Sequence, residues 1–480
     1  MRDGLLAKKF RLQPIFYASN RNRNTKSEAH MLGPILIYPA WLCLCVAGIF
    51  RPWIALVGFY GCVLLEPTWN WRWSIPQDFA FQKYLAASAI LGFVLTGFPG
   101  NKLCKPLPRA MLSLSVFLAI AYVSAMRSID PVASKFWMSN MWKIVVMALL
   151  AVRLLDTPKK IWTFLLVLSF AQGYSAYQIN LQYFQTGISA FAHRPWGLKG
   201  DNNLYSNLTV PLIAISASIA IYSRVTWQKW AAGVVGLLQM HQLMLMDSRG
   251  AMLATTTMGV FFVWLMPKSK QTLRGLLVAT IVGVILAGPP VVNEFSSIFA
   301  SEGERDASAE SRWKLWQAGW EITKDYPLLG VGPYAGQRLV PSYYEGRLNT
   351  RQKGLHNLAF QITTNVGIPA ALFYFAFFFI PWWHAWKSYL QIRRNKFASS
   401  PTWYQAVCLS LAVGIPGYIA ASMFSSAALL EPPYAMAALG LASIAVMKQH
   451  ERLTAPPNVA SNAEDAASIV SEANAPEPLT

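Results

Sequence analysis

The chain has 480 residues, 54% of them hydrophobic and only 13% charged, against about 25% charged in an ordinary soluble domain. Apolar runs long enough to cross roughly 30 Å of hydrocarbon recur along it, which excludes a soluble protein built on one buried core. A net charge of +19 would point to nucleic acid in a soluble protein. In a membrane protein Lys and Arg collect in short cytoplasmic loops instead, and no nucleic-acid partner is expected.

Residues 1–32 are polar and basic and read as a cytoplasmic extension without the apolar core of a signal peptide. Apolar segments then fall near 33–66, 79–98, 109–126, 135–155, 160–179, 206–223, 228–246, 250–267, 273–291, 357–386, 403–424 and 427–447. The first is too long for one straight helix, and Arg51-Pro52 interrupts it. It is either one kinked crossing or a hairpin of two short helices. Basic clusters at Lys102/Lys105/Arg109, Arg153/Lys159/Lys160, Arg224/Lys229, Lys268/Lys270/Arg274 and Arg393/Arg394/Lys396 fall on one side if every segment crosses once. That gives an all-α polytopic bundle of about 12 helices with both ends cytoplasmic. Two crossings within 33–66 give thirteen helices and an external N-terminus. The transmembrane parts are 33–291 and 357–447, and the tail 448–480, rich in Ala, Pro, Ser and Glu, is expected to be disordered. The five cysteines have no metal-ligand spacing and read as small hydrophobes.

Three segments on the external side are not apolar: 180–205, the turn Asp247-Ser248-Arg249, and 292–356. The last is the longest loop, and its tryptophans and tyrosines point to a folded segment. Within it Ser311 to Thr323 has helical apolar spacing and reads as an amphipathic helix lying on the membrane surface. GVGP at 330–333 lacks the Lys-Ser/Thr pair of a phosphate loop and reads as a turn.

Four places could carry chemistry. Arg249 opens a long apolar helix at its external end, where topology-anchoring arginines are less favoured, and polar groups at membrane depth usually mark substrate sites. Arg312 begins the loop helix; it is either a surface partner of Glu310 or Asp306 or a second guanidinium facing the same pocket. Two arginines suit a diphosphate, because the planar fork makes bidentate bonds to phosphate oxygens. His356 stands where the long loop re-enters the membrane, and histidine can take a proton near neutral pH. Arg194 and Lys199, in the 180–205 loop, are candidates for a supporting role in holding an anion. No metal site or nucleotide-binding motif is evident, and no cofactor is expected.

Three stretches, DSRGAMLA (247–254), ASAESRWKLWQAGWEITKDYPLLGVG (307–332) and GLHNLAFQITTNVGIPA (354–370), resemble the O-antigen ligase and polymerase superfamily. FRPWIALVGFYGCVLLEPTWNWRW (50–73) and LKGDNNLYSNL (198–208) resemble its exosortase-associated O-glycosylation ligase branch. The resemblance implies metal-independent transfer of a glycan from an undecaprenyl diphosphate carrier to a hydroxyl of a glycan, lipid or protein, at the outer face of a bacterial inner membrane. It assigns diphosphate binding to Arg249 and Arg312 and a catalytic role near the acceptor to His356. Where relatives often carry an acidic residue this chain has Asn365, which argues against an acid role at that position. The motifs do not separate a ligase from a repeat-unit polymerase. A transporter of lipid-linked glycan is the reading from another class; it would place charges near the bilayer midplane rather than at one face.

Overall fold

The computed structural model describes residues 23–187, 201–246, 248–296, 307–346, 348, 350–394 and 400–454. These residues form helices and connections, with no strand among them. The chain runs through α1 (Arg23–Phe50), α2 (Pro52–Leu65), α3 (Pro67–Asn70), α4 (Phe81–Leu95), α5 (Leu107–Met126), α6 (Pro131–Leu154), α7 (Pro158–Thr186) and α8 (Asn202–Tyr222). It continues through α9 (Thr226–Leu245), α10 (Arg249–Leu265), α11 (Lys270–Ser296), α12 (Ala307–Asp325), α13 (Val340–Tyr343), α14 (Leu358–Arg393), α15 (Thr402–Ser422) and α16 (Glu431–Thr454). α1, α5, α6, α8, α14 and α15 are long and apolar enough to cross a membrane, and α2, α4 and α10 are shorter apolar helices. The protein is an all-α, multi-pass membrane protein.

The segment 33–66 is a hairpin. Arg51 leaves the helical conformation, and Pro52, whose missing N–H costs nothing at a first helical position, starts α2. A methyl group added at Gly58 would sit 3.1 Å from the Leu44 side chain, and one at Gly48 would sit 2.3 Å from Ala55. In a straight helix residues 44 and 58 would be roughly 21 Å apart. Of the two readings of this segment, one kinked crossing or a hairpin of two short helices, the structure has the hairpin. Gly33 packs against Trp71 in the α3–α4 connection, at the end of the bundle opposite the Arg51 bend. Gly33 of α1 thus lies at the end of the bundle opposite that where Lys448 of α16 reaches the Lys105 carbonyl. Residues 1–22 and 455–480 lie outside the described residues.

The basic loops share the other end. The Asn101 amide bonds the Arg153 carbonyl at 2.8 Å, Lys448 reaches the Lys105 carbonyl at 2.6 Å, and Arg393 donates to the Trp264 carbonyl at 2.7 Å.

A buried polar ladder joins α7, α8 and α9. Ser169 meets Ser216 at 2.7 Å, and Ser216 donates to Gln239 at 2.8 Å. Gln239 donates to Gln172 at 2.7 Å, Gln172 to Gln242 at 2.8 Å, and Gln242 to Thr209 at 3.0 Å. Each of these side chains is fully buried. In an apolar bundle such pairs hold helices together because no water competes for their donors and acceptors.

The long loop folds onto the bundle. α12 spans the expected amphipathic segment and extends it at both ends. Its Leu315 and Ile322 pack on Val340 and Leu355, and Gly319 lies against Phe360 of α14. The apolar stripe is thus taken up by protein rather than by lipid, while Trp313 and Trp320 point outward. Beyond α12, residues 326–336 dock into a break in α14. Gly367 there has φ 88° and ψ 168°, which interrupts the helix. Carbonyls freed by the break accept from the loop: Val331 N–H to Thr364 O at 3.0 Å and Gly332 N–H to Asn365 O at 2.9 Å. The Ile368 N–H donates to Pro327 O at 2.8 Å. On the other side of the seam Ser124 donates to Leu329 O at 2.6 Å and Ser134 to Pro333 O at 2.7 Å. Non-helical backbone within a membrane bundle needs such partners. GVGP is a turn, as its sequence predicts, and it seals the broken helix.

Candidate functional site

Arg249 is the first residue of α10, at the end of the bundle that carries the long loop, and is half-buried. The turn before it is pinned to the start of α8. The Ser248 hydroxyl donates to Asn203 at 2.8 Å, and Asn202 donates to the Met246 carbonyl at 2.8 Å. Asp201 caps α8 by accepting from Asn203 N–H at 2.7 Å. Because Ser248 spends its hydroxyl on Asn203, α10 begins without a side-chain cap, and its positive dipole end lies beside Arg249.

Immediately behind Arg249, a methyl group on Gly250 would come within 2.6 Å of Phe424. The Phe424 ring meets Trp316 of α12 at 5.9 Å. Arg312 precedes Trp316 by four residues, so the two lie on the same side of that helix. The turn Met423–Ser426, between α15 and α16, is the hub of the site. Its Phe424 spans α10 and α12, and Ser425 accepts a short hydrogen bond from Asn207 of α8. The Met423 carbonyl accepts from Asn357 at 3.2 Å. Ser426 Oγ and His356 Nε2 both lie 3.9 Å from the position a Cβ would take on Gly354.

His356 sits two residues before α14, held from behind by Asn357, which caps that helix through Phe360 N–H at 3.1 Å. Its backbone is left-handed, with φ 49°, a conformation that costs a non-glycine residue of order 1 kcal/mol and is retained where surrounding contacts impose it. Burial holds its proton affinity below the usual imidazole value, and the positive charge of Arg312 pushes the same way. Asp201 opposes that shift and Lys353 adds to it. Arg312 on α12, Asp201 at the cap of α8 and Lys353 at the end of the long loop therefore all lie within electrostatic reach of the imidazole. Arg312, 44 positions away in sequence, is thus within electrostatic reach of His356, and the start of α10, which carries Arg249, packs against Phe424 through Gly250.

Arg194 and Lys199 lie outside the described residues. Asn365 is buried in the seam, its side-chain oxygen accepting Gly336 N–H at 2.8 Å, which an amide does as well as an acid. Among the described residues no cluster of three His, Cys, Asp or Glu side chains is placed to hold a metal ion. Phe424, Ser426, Lys353 and Asn203 carried no signal in sequence. Asp201 stands within the polar LKGDNN stretch of the 180–205 loop.

The fold and this cluster define a multi-pass membrane protein with a polar, cationic site at one end of its bundle. Residues 234–375 match the family model described as O-antigen ligase, over a stretch from α9 to the middle of α14 that contains Arg249, Arg312 and His356. Over those residues the chain is similar to the O-antigen ligase family, which supports an O-antigen-ligase-like function, the transfer of glycan at a membrane. The stretches 50–73 and 198–208, which resemble the exosortase-associated branch, fall outside the matched residues. No curated protein matches the chain.

Proposed function

We propose that the protein transfers a glycan from undecaprenyl diphosphate to an acceptor hydroxyl at the outer face of a bacterial inner membrane. In this reading Arg249 and Arg312 grip the diphosphate, with the uncapped start of α10 adding its dipole. The acceptor oxygen attacks the anomeric carbon, and the bond from that carbon to the diphosphate oxygen breaks. The guanidiniums stabilise the charge that collects on the departing undecaprenyl diphosphate. His356 takes the acceptor's proton. Arg194 and Lys199 add positive charge beside the donor. The acceptor is a lipid, a protein or a further repeat unit.

The observation that carries this reading is the environment of His356. Burial and two nearby cations disfavour the imidazolium, so the ring stays neutral and basic at ordinary pH. The imidazolium formed during transfer gains from Asp201. A base of this kind beside an arginine suits a reaction that loses an anionic group and a proton together. Purified protein, incubated with an undecaprenyl-diphosphate glycan and acceptor, should release undecaprenyl diphosphate in step with glycosylated acceptor. Glycan analysis of a deletion strain separates the acceptors: lipid-linked polymer accumulates if a ligase is lost, and polymer length collapses if a polymerase is lost. A strain whose glycans are unchanged in both amount and length would refute the assignment.

A further inference from the structure

At the end of the bundle opposite the site, the bend between α1 and α2 walls a cavity of about 360 Å³. Phe50, Arg51 and Trp53 form one side of it, and Pro99, Asp156 and Lys160 the other. Its charge is uneven. Asp156 is held by Lys160 at 2.6 Å, one helical turn along, which neutralises both. Arg51 is exposed at the tip of the hairpin. Arg153 stands at the rim, bonded to the Phe98 carbonyl at 3.0 Å beside Pro99. The cavity is net positive. The helix start adds to this: α2, with Arg51 as its N-cap, begins without a side-chain cap, so its positive dipole end opens here too. Around the mouth Phe50, Leu95 and Phe98 present large apolar side chains outward.

We infer that this cavity binds the headgroup of an anionic phospholipid of the membrane leaflet at that end. The guanidinium of Arg51 and the start of α2 take the phosphate oxygens. Trp53 and Lys160 wall the headgroup, and the acyl chains descend over Phe50 and Leu95. A zwitterionic headgroup would bring its own cation against Arg51 and Arg153, so the preference is for net negative lipid. The bound lipid would add a bridge from α1–α2 to the α4–α5 and α6–α7 connections. The inference is independent of the reaction proposed for the opposite end.

The test is native mass spectrometry of the purified full-length protein with equal amounts of phosphatidylglycerol and phosphatidylcholine. The wild type should retain phosphatidylglycerol about fivefold better, the effect of roughly one basic residue at a membrane surface. Arg51→Gln should bring the two lipids close to parity. Arg51 is exposed, so folding is not at stake; Arg51→Lys, which keeps the charge, should keep much of the preference. Lys160→Gln, which leaves Asp156 unneutralised, should weaken retention further. Millimolar inorganic phosphate should fail to displace the lipid. Undiminished phosphatidylglycerol retention in Arg51→Gln would overturn the site, and full displacement by inorganic phosphate would overturn the lipid as its ligand.

Discussion

The seam between the long loop and the break in α14 gives the sharpest test of how the site is held. Gly367 occupies a backbone region open essentially to glycine alone. A methyl group there would lie 2.1 Å from Leu328 O, 2.4 Å from Leu328 C and 2.8 Å from Leu329 N, all backbone atoms that no side-chain rotation can clear. Gly367→Ala therefore forces the two strands of backbone apart. The conformational strain is about 1–3 kcal/mol. Loss of the three seam hydrogen bonds, from Val331, Gly332 and Ile368, adds about 0.5–1.5 kcal/mol each. The total, about 3–7 kcal/mol, falls on one joint, so the seam should open before the bundle does. Limited proteolysis should then cut between Tyr326 and Gly336 in the variant while sparing the wild type. Transfer should fall with it, because α12 and the return at His356 lose their common anchor. Gly259→Ala is the control: its added methyl meets nothing within 4 Å, and helix propensity gains about 0.5–1 kcal/mol. Equal proteolytic resistance and equal transfer in Gly367→Ala and wild type would refute the reasoning.

His356→Ala should leave donor binding nearly intact and lower transfer by about 10²–10⁴-fold; near-normal turnover by a folded variant would leave His356 a structural residue. Arg312→Lys keeps the charge but loses the bidentate fork, so donor Kd should rise by about tenfold or more, and Arg249→Ala should weaken both donor binding and transfer in the same assay. The acid limb of kcat/KM should lie below the ordinary imidazole value of about 6.5, because transfer needs the neutral ring and its surroundings disfavour the charged one. Arg312→Gln removes a charge that depresses His356 and should move the limb to higher pH. Asp201→Asn keeps the α8 cap, removes the charge that raises His356, and should move the limb to lower pH. A limb unmoved by either change would separate His356 from the titration.

Much of this arrangement is legible in the residues themselves. Spanning helices announce themselves by apolar length, and basic loops by sign. Arg249 and His356 stand out because each is a charged or titratable group at the rim of an apolar run, where a polar side chain needs a reason, and Arg312 because it opens the amphipathic helix of the long loop. Other parts are not legible, for identifiable causes. The hairpin at Arg51-Pro52 and a kinked single crossing share one hydropathy trace, and only the packing of Gly48 and Gly58 decides between them. The hub at Met423–Ser426 is made of Phe, Met and Ser, which any membrane helix carries, and its contacts reach Gly250, Trp316 and Asn207 across more than a hundred positions in the first two cases and over two hundred in the last. The stripe on α12 fixes a helix and its buried side, yet says nothing of whether protein or lipid covers it. The turn at GVGP is visible, but the broken helix it seals lies some 35 residues away.

The ladder of Gln172, Thr209, Ser216, Gln239 and Gln242 bears on how the chain is made. Neither α7 nor α9 is among the helices apolar enough to enter a bilayer unaided, whereas α8 between them is. Glutamines left without partners in hydrocarbon would resist insertion, and each finds its partner only on a neighbouring helix. The three helices therefore suit release into lipid as a unit, with α7 held at the insertion machinery until α8 and α9 have been synthesised. A nascent chain halted after α7 would slip back toward water, and one halted after α9 would stay.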